Sequence, residues 1–563
     1  PVADVSVSLW LILSLGGGVG LISGLFGVGG GFLLTPLLIM SGIAPAVAVA
    51  TQAPQIVASA FSGVLAYGAR SSVDYRMGAL LLSSGLIGSW LGVQIFEQLQ
   101  ALGQVEFVVT ALYVALLGFV GALMARESIK ALGQPAHPEG ERRRPLPAAF
   151  EALPWKMTFP RSQLTVSVIP PLVIGFCIGV LGAIMGVGGG FVMVPAMIYL
   201  LGFTTTLAIG TSLFQITLLM AGTTVFHASA TGAVDALLAF TLLAGGVIGA
   251  QLGAIIGGRL RAAALRFLLA ILVLGVGVVL ALNLVLTPEE PFSVERASLV
   301  DAEDAAPLAP PSVSEPEGAA RLLLEAPAPT EIDLWFDGAE ITVSGAVLGE
   351  ADAIGQTAGA PILALRLIGA QEMITLRRKD RRYGMWLNVE DRRLIGPSYF
   401  AAAASDPAAA AAAGGAAPAF LSATAAIETD AAYEEALLRL RGQDELYANT
   451  ISTVALQPDG RFEARFTLPP SATAGLMAAQ AALIDPATGA VLTTTTAEVV
   501  VKKVGVEGVI AHAATTNPLL YSLLTLIAAI AAGWLAHAVF GYIRHLVDLD
   551  EAADGVGADG RNV

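Results

Sequence analysis

Two glycine-rich segments within apolar sequence are the strongest candidates for a binding site. They read GLFGVGGGFLLTPLLI at residues 24–39 and AIMGVGGGFVMVPAMI at residues 183–198. Four glycines within five residues break a helix, and a helix that restarts after the break presents free backbone N–H groups at its positive dipole end. Such an end attracts an anion without a Lys or Arg side chain. The candidate binding residues are the last three glycines of each segment: Gly29, Gly30 and Gly31 in the first, and Gly188, Gly189 and Gly190 in the second.

A proline follows each break at the same distance. Pro36 and Pro195 lie five residues after the last glycine of their segments. Because proline has no N–H, each would free the carbonyl oxygen four residues earlier, in Phe32 or Phe191, to bind water or a cation. We therefore interpret the two prolines as kinks of the broken segments.

Polar residues recur after both breaks. Thr51 and Gln55 match Thr211 and Gln215, and the i, i+4 spacing puts each pair on one helix face. Hydrogen bonds between helices are common for such residues in membranes. Their recurrence favours a shared polar site at the interface of the two copies. Weaker candidates of the same kind are Gln52, Ser212, Thr223 and Thr224.

The breaks have two other interpretations. A phosphate-binding loop would need a GK[ST] sequence or flanking βαβ sequence, and neither is present. Close helix packing through small residues is the remaining alternative. Unsatisfied backbone at membrane depth is tolerated only against protein or a wet cavity. Together with the duplication, this favours a site.

The matches extend through residues 1–286 and indicate an internal duplication. Asp74 pairs with Asp235, and glycines 85, 88 and 92 pair with glycines 246, 249 and 253. The chain is 55% apolar and 13% charged, with 62 glycines, which is typical of a membrane protein. Apolar stretches close to the ~20 residues that span a bilayer run at 77–96, 107–125, 206–226, 237–258, 267–286 and 517–541.

Basic residues orient the membrane segments, since they mark cytoplasmic loops. Arginines and lysines at 126–161 and at 259–266 place both loops inside. The count then predicts two inverted repeats, each with a broken hairpin and three full crossings. A competing count with four true crossings per copy puts three arginines outside. His227, at a helix end, is interpreted as a structural histidine.

An acidic region follows the repeats. Residues 287–516 hold 31 acids and 16 bases, within a chain of net charge −15. Short alternating runs from about residue 331 predict an extracytoplasmic β-sandwich-like domain. The predicted boundaries are 1–125 for repeat one, 126–162 for a basic cytoplasmic connector, 163–286 for repeat two, 287–330 for a disordered Pro/Ala-rich linker, 331–516 for the β-rich domain, 517–541 for a transmembrane helix and 542–563 for a cytoplasmic tail.

Few residues suggest other chemistry. The basic segment at 376–394, with Tyr383 and Trp386, could meet lipid headgroups or an anionic solute, but a solvated hairpin with paired charges is favoured. We find no metal-ligand cluster, no CxxC and no Ser–His–Asp arrangement with supporting context, so we expect no catalytic residues, metal or cofactor. The single cysteine, Cys177, excludes an intrachain disulfide. The N-terminus lacks a basic region before its apolar stretch, so we expect no removable signal peptide.

At the paired motifs the sequence resembles the TauE/SafE sulfite exporter family. The resemblance covers about residues 8–286 and is carried by the two GVGGG segments with VATQAPQI and IGTSLFQI. Residues 331–541 resemble a separate, uncharacterised family of alphaproteobacterial transmembrane proteins, through LPPSATAGLMAAQAALID and the apolar C-terminal segment. The first resemblance implies transport of sulfite, thiosulfate or organosulfonates. A typical member of the exporter family lacks the appended region.

These observations together predict a multi-pass protein of the bacterial inner membrane, with residues 287–516 on the periplasmic side. Its expected partners are a small sulfur-containing anion and the lipid bilayer, without nucleic acid, and homo-oligomer formation is left open. The expected function is anion export through a midplane site between the two broken hairpins. The alternative is a membrane-anchored solute-binding or assembly protein whose permease-like part is a scaffold.

Overall fold

The computed structural model of the chain contains helices in its N-terminal half and mainly strands in its C-terminal half. It describes residues 8–26, 31–68, 72–132, 153–257, 262–288, 290–296, 321–333, 336–348, 361–413, 417–423, 430–448, 450–457 and 459–558.

The described part of the N-terminal half contains the same succession of five helices twice. The helices are α1 (Leu9–Phe26), α2 (Gly31–Met40), α3 (Pro45–Gly68), α4 (Tyr75–Ala101), α5 (Val105–Leu132), α6 (Ile169–Met185), α7 (Gly190–Tyr199), α8 (Thr205–Ala230), α9 (Ala236–Gly257) and α10 (Ala262–Val285). Helices α3, α4, α5, α8, α9 and α10 are long and apolar enough to span a membrane, whereas α1, α2, α6 and α7 provide only shorter apolar segments. The prediction of a polytopic helical membrane region is confirmed.

Two helix pairs between the repeats run parallel. Along α1 and α9, Gly16 lies against Leu242 and Gly20 lies against Gly246, so both numbers rise together. Along α4 and α6 the same holds, with glycines 88 and 92 against the carbonyl oxygens of residues 176 and 180. Glycine is needed at these positions because an added methyl group would lie 2.1–2.9 Å from those backbone oxygens or from that of Gly246. The first helix of each repeat therefore packs tightly on the fourth helix of the other.

The remaining equivalent helices pack antiparallel. Gly63 of α3 lies against Leu213 of α8, while Thr51 near the start of α3 lies at the end of α8. Gly121 of α5 contacts Leu274 of α10 in the same antiparallel sense. Helices α3 and α8 therefore form the centre of the helical region, and the parallel pairs flank them.

A small hairpin lies in the described part of the connector. Strands β1 (Lys156–Phe159) and β2 (Leu164–Ser167) pair antiparallel directly before α6. In the turn, Ser162 donates from its backbone N and its hydroxyl to the carboxylate of Asp74, at 3.1 and 2.9 Å. The hairpin is thereby tied to the start of α4.

The strand-rich region contains three sheets within the described residues. Its strands are β3 (Phe292–Arg296), β4 (Arg321–Leu324), β5 (Thr330–Ile332), β6 (Ala339–Leu348), β7 (Ile362–Ile368), β8 (Gln371–Arg382), β9 (Met385–Pro397), β10 (Phe400–Ala404), β11 (Ser452–Thr453), β12 (Ala455–Leu456), β13 (Arg461–Leu468), β14 (Gly475–Ile484) and β15 (Val491–Lys503). The sheet orders are β11-β10-β7-β14-β15-β5, β12-β13-β6-β4 and β3-β8-β9.

The six-stranded and four-stranded sheets share one apolar core. Val343 and Phe462 from the smaller sheet pack in the same cluster as Leu365, Ala481 and Val499 from the larger one. The other face of the larger sheet is covered by the short helices α11 (Pro407–Ala412) and α12 (Ala417–Leu421) and by α13 (Ala431–Gln443). The strand-rich C-terminal region that the alternating sequence predicts is therefore present, with two of its sheets around one core.

Some predicted boundaries differ from the structure. Strands β3 and β4 lie inside the predicted linker at 287–330, because residues 292–296 pair with β8 and residues 321–324 pair with β6; residues 297–320 lie outside the described residues. Helix α5 continues to Leu132, beyond the predicted boundary at 125.

Two helices follow the last strand, α14 (Gly505–Thr516) and α15 (Pro518–Ala558). Residues Pro518–Val539 of α15 form the seventh candidate span found among the described residues. The predicted transmembrane helix ends at 541, whereas α15 continues without interruption into the predicted tail. Helix α15 packs against α3 and α8 of the N-terminal half.

Candidate functional site

The second glycine-rich break is an abrupt interruption between two helices. Helix α6 ends at Met185 and α7 begins at Gly190. Gly186, Gly188 and Gly189 have φ angles of 72°, 70° and 76°. Residues with a Cβ rarely adopt this left-handed conformation, so glycine is required for the break. The segment is buried in the protein interior, as backbone at membrane depth must be.

The two breaks meet in the structure. A methyl group added at Gly31, the first residue of α2, would lie 3.2 Å from the carbonyl oxygen of Val187 in the second break. One residue later, the rings of Phe32 and Phe191 stack with their centroids 4.4 Å apart and an interplanar angle of 15°. The starts of α2 and α7 are therefore neighbours. Gly29 and Gly30 lie outside the described residues.

A polar cluster lies beside the start of α2. The Gln52 amide donates to the carbonyl oxygen of Gly31 and accepts a hydrogen bond from the Thr35 hydroxyl. The Tyr113 hydroxyl lies beside Thr35 and donates to the carbonyl oxygen of Met185, at 2.9 Å. The cluster thus connects α2 and α3 with α5 and the end of α6.

The sequence analysis ranked Gln52 low and missed Thr35 and Tyr113. Their counterparts in the second repeat give no signal, because Val194 stands at the position of Thr35 and Ser212 at that of Gln52. Only a comparison of differences between the repeats, rather than of matches, would have found the cluster.

Two matched isoleucines cover the meeting point. Ile56 of α3 lies within 3.0 Å of a methyl group built at Gly31 and within 2.9 Å of one built at Gly188. Ile216 of α8, at the equivalent position, lies 3.1 Å from a methyl group built at Gly190. The polar backbone of the breaks is therefore enclosed by apolar side chains from both central helices.

The structure places Thr51 and Thr211 apart. The Thr51 hydroxyl accepts from the backbone N–H of Asp235 at 3.0 Å, and the Thr211 hydroxyl accepts from that of Asp74 at 2.9 Å. Since α3 and α8 are antiparallel, these contacts lie at opposite ends of the helix pair. Gly63 lies level with Leu213, which is two residues from Thr211. Thr51 is twelve residues before Gly63 on α3, so it lies about 18 Å along the helix axis from that level. The two hydroxyls do not form one cluster.

The two aspartates are N-caps that the sequence analysis did not recognise. Asp74 accepts from Met77 N at 3.2 Å at the start of α4, and Asp235 accepts from Leu238 N at 3.0 Å at the start of α9. Both side chains are buried. The signal was present, because the two carboxylates match in the duplication and precede apolar helices.

Gln215 is buried and Gln55 is half-buried, and both side chains have unsatisfied amide atoms. Gln215 is fully buried, and neither its amide nitrogen nor its oxygen has a hydrogen-bond partner. The oxygen of Gln55 is likewise unpartnered. Gln215 lies against Gly85 of α4 and Gln55 lies against Gly246 of α9, which are equivalent positions. A buried amide without partners is costly, so these two side chains can accept or donate to a bound solute.

The other candidates have ordinary structural contacts. Pro36 and Pro195 lie inside α2 and α7, after the breaks. Thr223 bonds with Ser89 across α8 and α4, and Thr224 and Ser212 donate to carbonyl oxygens of their own helix. Fully buried His227 bonds the carbonyl oxygen of Ala183 and packs edge-on against Phe96, as expected of a structural histidine.

The electrostatics of the meeting point come from the backbone. Helices α1, α2, α3, α6, α7 and α8 contain no Asp, Glu, Lys or Arg. The positive dipole ends of two helices therefore supply positive potential in an apolar surrounding. Among the described residues, no group of three His, Cys, Asp or Glu is placed to hold a metal ion. The arrangement suits a small anion.

Comparison with known proteins assigns the helical half. Residues 12–280 match the family described as "Sulfite exporter TauE/SafE". A "Probable membrane transporter protein" of Xylella fastidiosa (strain 9a5c) is 30% identical over 257 residues, which cover 45% of this chain and 87% of the relative. The chain belongs to the TauE/SafE sulfite exporter family. Both breaks lie inside the residues that match this TauE/SafE family, 12–280.

Relatives from Bacillus subtilis (strain 168) are similarly matched. "Probable membrane transporter protein YjnA" is 28% identical over 265 residues, and "YunE" is 28% identical over 280 residues. Each is covered over 96% of its length by less than half of this TauE/SafE chain. Residues 326–542 match a second family, "Putative transmembrane protein (Alph_Pro_TM)". The chain is therefore a fusion of a membrane transporter with an appended region. No solved structure matches it.

Proposed function

We propose that this transporter exports sulfite or a related sulfur-containing anion through a site between its two broken hairpins. The observation that carries the proposal is the contact between the starts of α2 and α7, with Phe32 and Phe191 stacked at 4.4 Å. Helix starts that converge in a region without charged side chains attract an anion through backbone N–H groups. The family provides the class of solute, and the geometry is compatible with it.

The proposed site residues fall into two groups. Gly29, Gly30 and Gly31, with Gly188, Gly189 and Gly190, would bind the anion by backbone amides. The amide nitrogens of Gln55 and Gln215, which lie beside Gly246 and Gly85, would donate to it on its path past α9 and α4. For Thr51 and Thr211 the observed cap contacts favour a role in holding the repeats together. Pro36 and Pro195 would kink the returning helices.

The transport mechanism that we propose uses inverted repeats. If directions alternate along each repeat, the parallel pairs α1 with α9 and α4 with α6 support opposite orientation of the two copies. The antiparallel central helices support the same arrangement. In transporters of this kind, the repeats move against each other around a fixed midplane site.

The proposed location is the bacterial inner membrane, with the β-rich domain on the periplasmic side. The basic connector supports a cytoplasmic position for the opposite face. Contacts of the β-rich domain with the loop between α4 and α5 support its position on the face away from the connector.

Ligand binding is tested first with purified protein. Thermal unfolding is measured with sulfite, thiosulfate, sulfoacetate, sulfate and chloride at equal ionic strength. A bound anion stabilises the folded state by mass action, by about 2.7 kcal/mol at 100 times its Kd. The apparent unfolding temperature rises as a result. We expect a rise with a sulfur anion and none with chloride. Equal temperatures for all anions would contradict the proposal.

Transport is tested by efflux from proteoliposomes. In Gly190→Leu, the added side chain meets Ile216 at the meeting point, whereas at Gly18 of α1 nothing lies within 4 Å. We expect Gly190→Leu to lose sulfite efflux and Gly18→Leu to retain it, with both proteins inserted and monodisperse. Full efflux by a well-folded Gly190→Leu variant would refute the site.

A further inference from the structure

The appended region holds the transporter at one loop through a β-hairpin. Strands β8 and β9 extend to the connection between α4 and α5, where Asn388 and the loop exchange two hydrogen bonds. The Asn388 amide donates to the carbonyl oxygen of Gly103 at 2.6 Å, and the Gln104 amide donates to the carbonyl oxygen of Asn388 at 2.5 Å. Gly103 has a φ of 67°, and a methyl group there would lie 2.2 Å from Arg377. The loop and the hairpin are complementary in shape.

Charged groups strengthen the same contact. Lys379 Nζ lies 2.9 and 3.1 Å from the two carboxylate oxygens of Glu106, at the start of α5. Arg377 donates to the carbonyl oxygen of Gln100, near the end of α4, at 3.1 Å. Arg377 is half-buried at this contact, and its burial lowers the pKa of the guanidinium. The basic segment singled out in the sequence thus has a partner in its own chain.

The appended region holds the transporter a second time through α15. The Tyr521 hydroxyl donates to the carbonyl oxygen of Val234 at 3.0 Å and accepts from the N–H of Ala236 at 2.9 Å. Ala236 is the first residue of α9, so Tyr521 satisfies a free N–H group of that helix. Further along α15, Gly533 allows this helix to approach α3, since a methyl group there would lie 2.3 Å from the carbonyl oxygen of Ala58.

These two anchors lie on the same face but on different repeats. The Thr51–Asp235 and Thr211–Asp74 contacts place the loop before α9 and the loop before α4 at opposite ends of the central helices. Helix α4 has 27 residues, about 40 Å, and therefore ends on the face where α9 begins. The hairpin holds the first repeat, whereas Tyr521 holds the start of α9 in the second repeat while the rest of α15 also packs on α3 of the first.

We propose that the appended region is a clasp that joins the two repeats on this face and limits their relative movement. Opening of the site requires the repeats to move against each other. The hairpin anchor consists of a few hydrogen bonds and one partly exposed ion pair, so the clasp can be released there at small cost. The proposal depends on the transporter's alternating movement, and it is independent of which anion is carried.

The hairpin anchor is tested by exchanging charges. The protein carries Cys177→Ser and Val187→Cys, so that its only cysteine lies in the buried second break. In nanodiscs, the rate of labelling by a membrane-impermeant maleimide reports how often the break meets water. Lys379→Glu and Glu106→Lys should each raise this rate, by up to about fivefold. The double exchange, Lys379→Glu with Glu106→Lys, should restore it.

The matched control is Lys502→Glu, which removes an exposed ion pair with Glu331 elsewhere in the appended region, at 4.0 Å. It should leave the labelling rate unchanged. Unchanged labelling in the single variants would overturn the proposal, as would failure of the double exchange to restore the rate or an equal effect of Lys502→Glu.

The second anchor is tested in the same background with Tyr521→Phe, which removes both hydrogen bonds, and with Tyr542→Phe, an exposed tyrosine of the same helix, as control. We expect faster labelling only for Tyr521→Phe, and equal rates would exclude α15 from the clasp. Because labelling needs no substrate, absence of sulfite efflux would refute the proposed function without affecting this result.

Discussion

At the scale of residues, the matched threonines show how a symmetric pattern can have a structural origin. Each hydroxyl accepts the N–H of an aspartate in the other repeat, and that aspartate caps the next long helix. The contacts are therefore reciprocal between the copies. Recurrence of Thr51 and Thr211 follows from this arrangement, and it needs no solute at either position.

Removal of one hydroxyl tests this role. Thr211→Val leaves the buried N–H of Asp74 without its acceptor, which we expect to cost ~1–3 kcal/mol of stability. Thr211→Ser keeps the hydroxyl and should retain most of it. Unfolding temperatures of the two purified variants give the comparison. If the threonine served only the solute, both temperatures would equal that of the unsubstituted protein, and only anion binding would differ.

The unpaired amides call for a different test. Gln215→Leu replaces a buried side chain whose nitrogen and oxygen have no partner, so we expect the free energy of unfolding to stay equal or to rise. Anion binding should weaken, since the replacement removes a donor. Thermal shifts with and without sulfite separate the two effects. A strong loss of stability without anion would contradict an unsatisfied amide.

At the scale of elements, the parallel pairs depend on glycines that face backbone. In α1, Gly16 and Gly20 are in contact with α9, whereas Gly18 on the same helix has open space around it. The contact between α1 and α9 is close helix packing of the kind that small residues allow in membranes. These glycines of α1 serve helix packing, whereas the left-handed glycines of the second break are required by their backbone conformation.

The close contact between α1 and α9 predicts that the effect of a single added methyl group on stability depends on its position along α1. In Gly20→Ala the methyl would lie 2.1 Å from the carbonyl oxygen of Gly246, so we expect a loss of ~1–3 kcal/mol as the helices move apart. Gly18→Ala should stabilise α1 by up to ~1 kcal/mol, because alanine is the better helix former. Thermal unfolding of both proteins in one detergent measures the difference. Similar losses in both would argue against the observed register.

Much of the helical region could be predicted, because apolar length and duplication are local signals. The contact between the two breaks depends on the packing of the first helix of each repeat against the fourth helix of the other repeat. No residue spacing within one copy encodes that packing. Gln55 and Gln215 were found by recurrence, while Tyr113 was missed because its role depends on a carbonyl 72 residues away. Strand β3 was hidden in an acidic, Pro-rich segment, because its pairing with β8 and the packing of Phe292 on Tyr433 are contacts distant in the sequence.

At the scale of the whole molecule, the appended region is not a separate unit on a tether. Its terminal helix packs on α3 and α8, and its hairpin packs on the loop after α4. Truncation at residue 287 would therefore remove Tyr521 from the start of α9 and Gly533 from the surface of α3. A loss of transport after such truncation would not by itself identify the appended region as the solute-binding part.

The position of this region relative to the membrane can be measured with single cysteines. In a Cys177→Ser background, Tyr383→Cys places a thiol at the hairpin tip, where Tyr383 is 98% exposed, and Met157→Cys places one on the connector hairpin. An impermeant maleimide should label the first in right-side-out vesicles and the second only in inverted vesicles. Labelling of both in the same vesicles would refute the proposed inverted topology.

The two capped loops of the transporter are secured by unlike parts of the chain. Ser162 of the connector holds the Asp74 carboxylate on one face, and Tyr521 holds the residues beside Asp235 on the other. The contacts that hold the two faces can therefore be changed independently. Under the alternating movement proposed above, we expect substitution at Ser162 and substitution at Tyr521 to change the ratio of inward-open to outward-open molecules in opposite senses. Such unlike contacts on the two faces would give the transporter a resting preference for one side of the membrane.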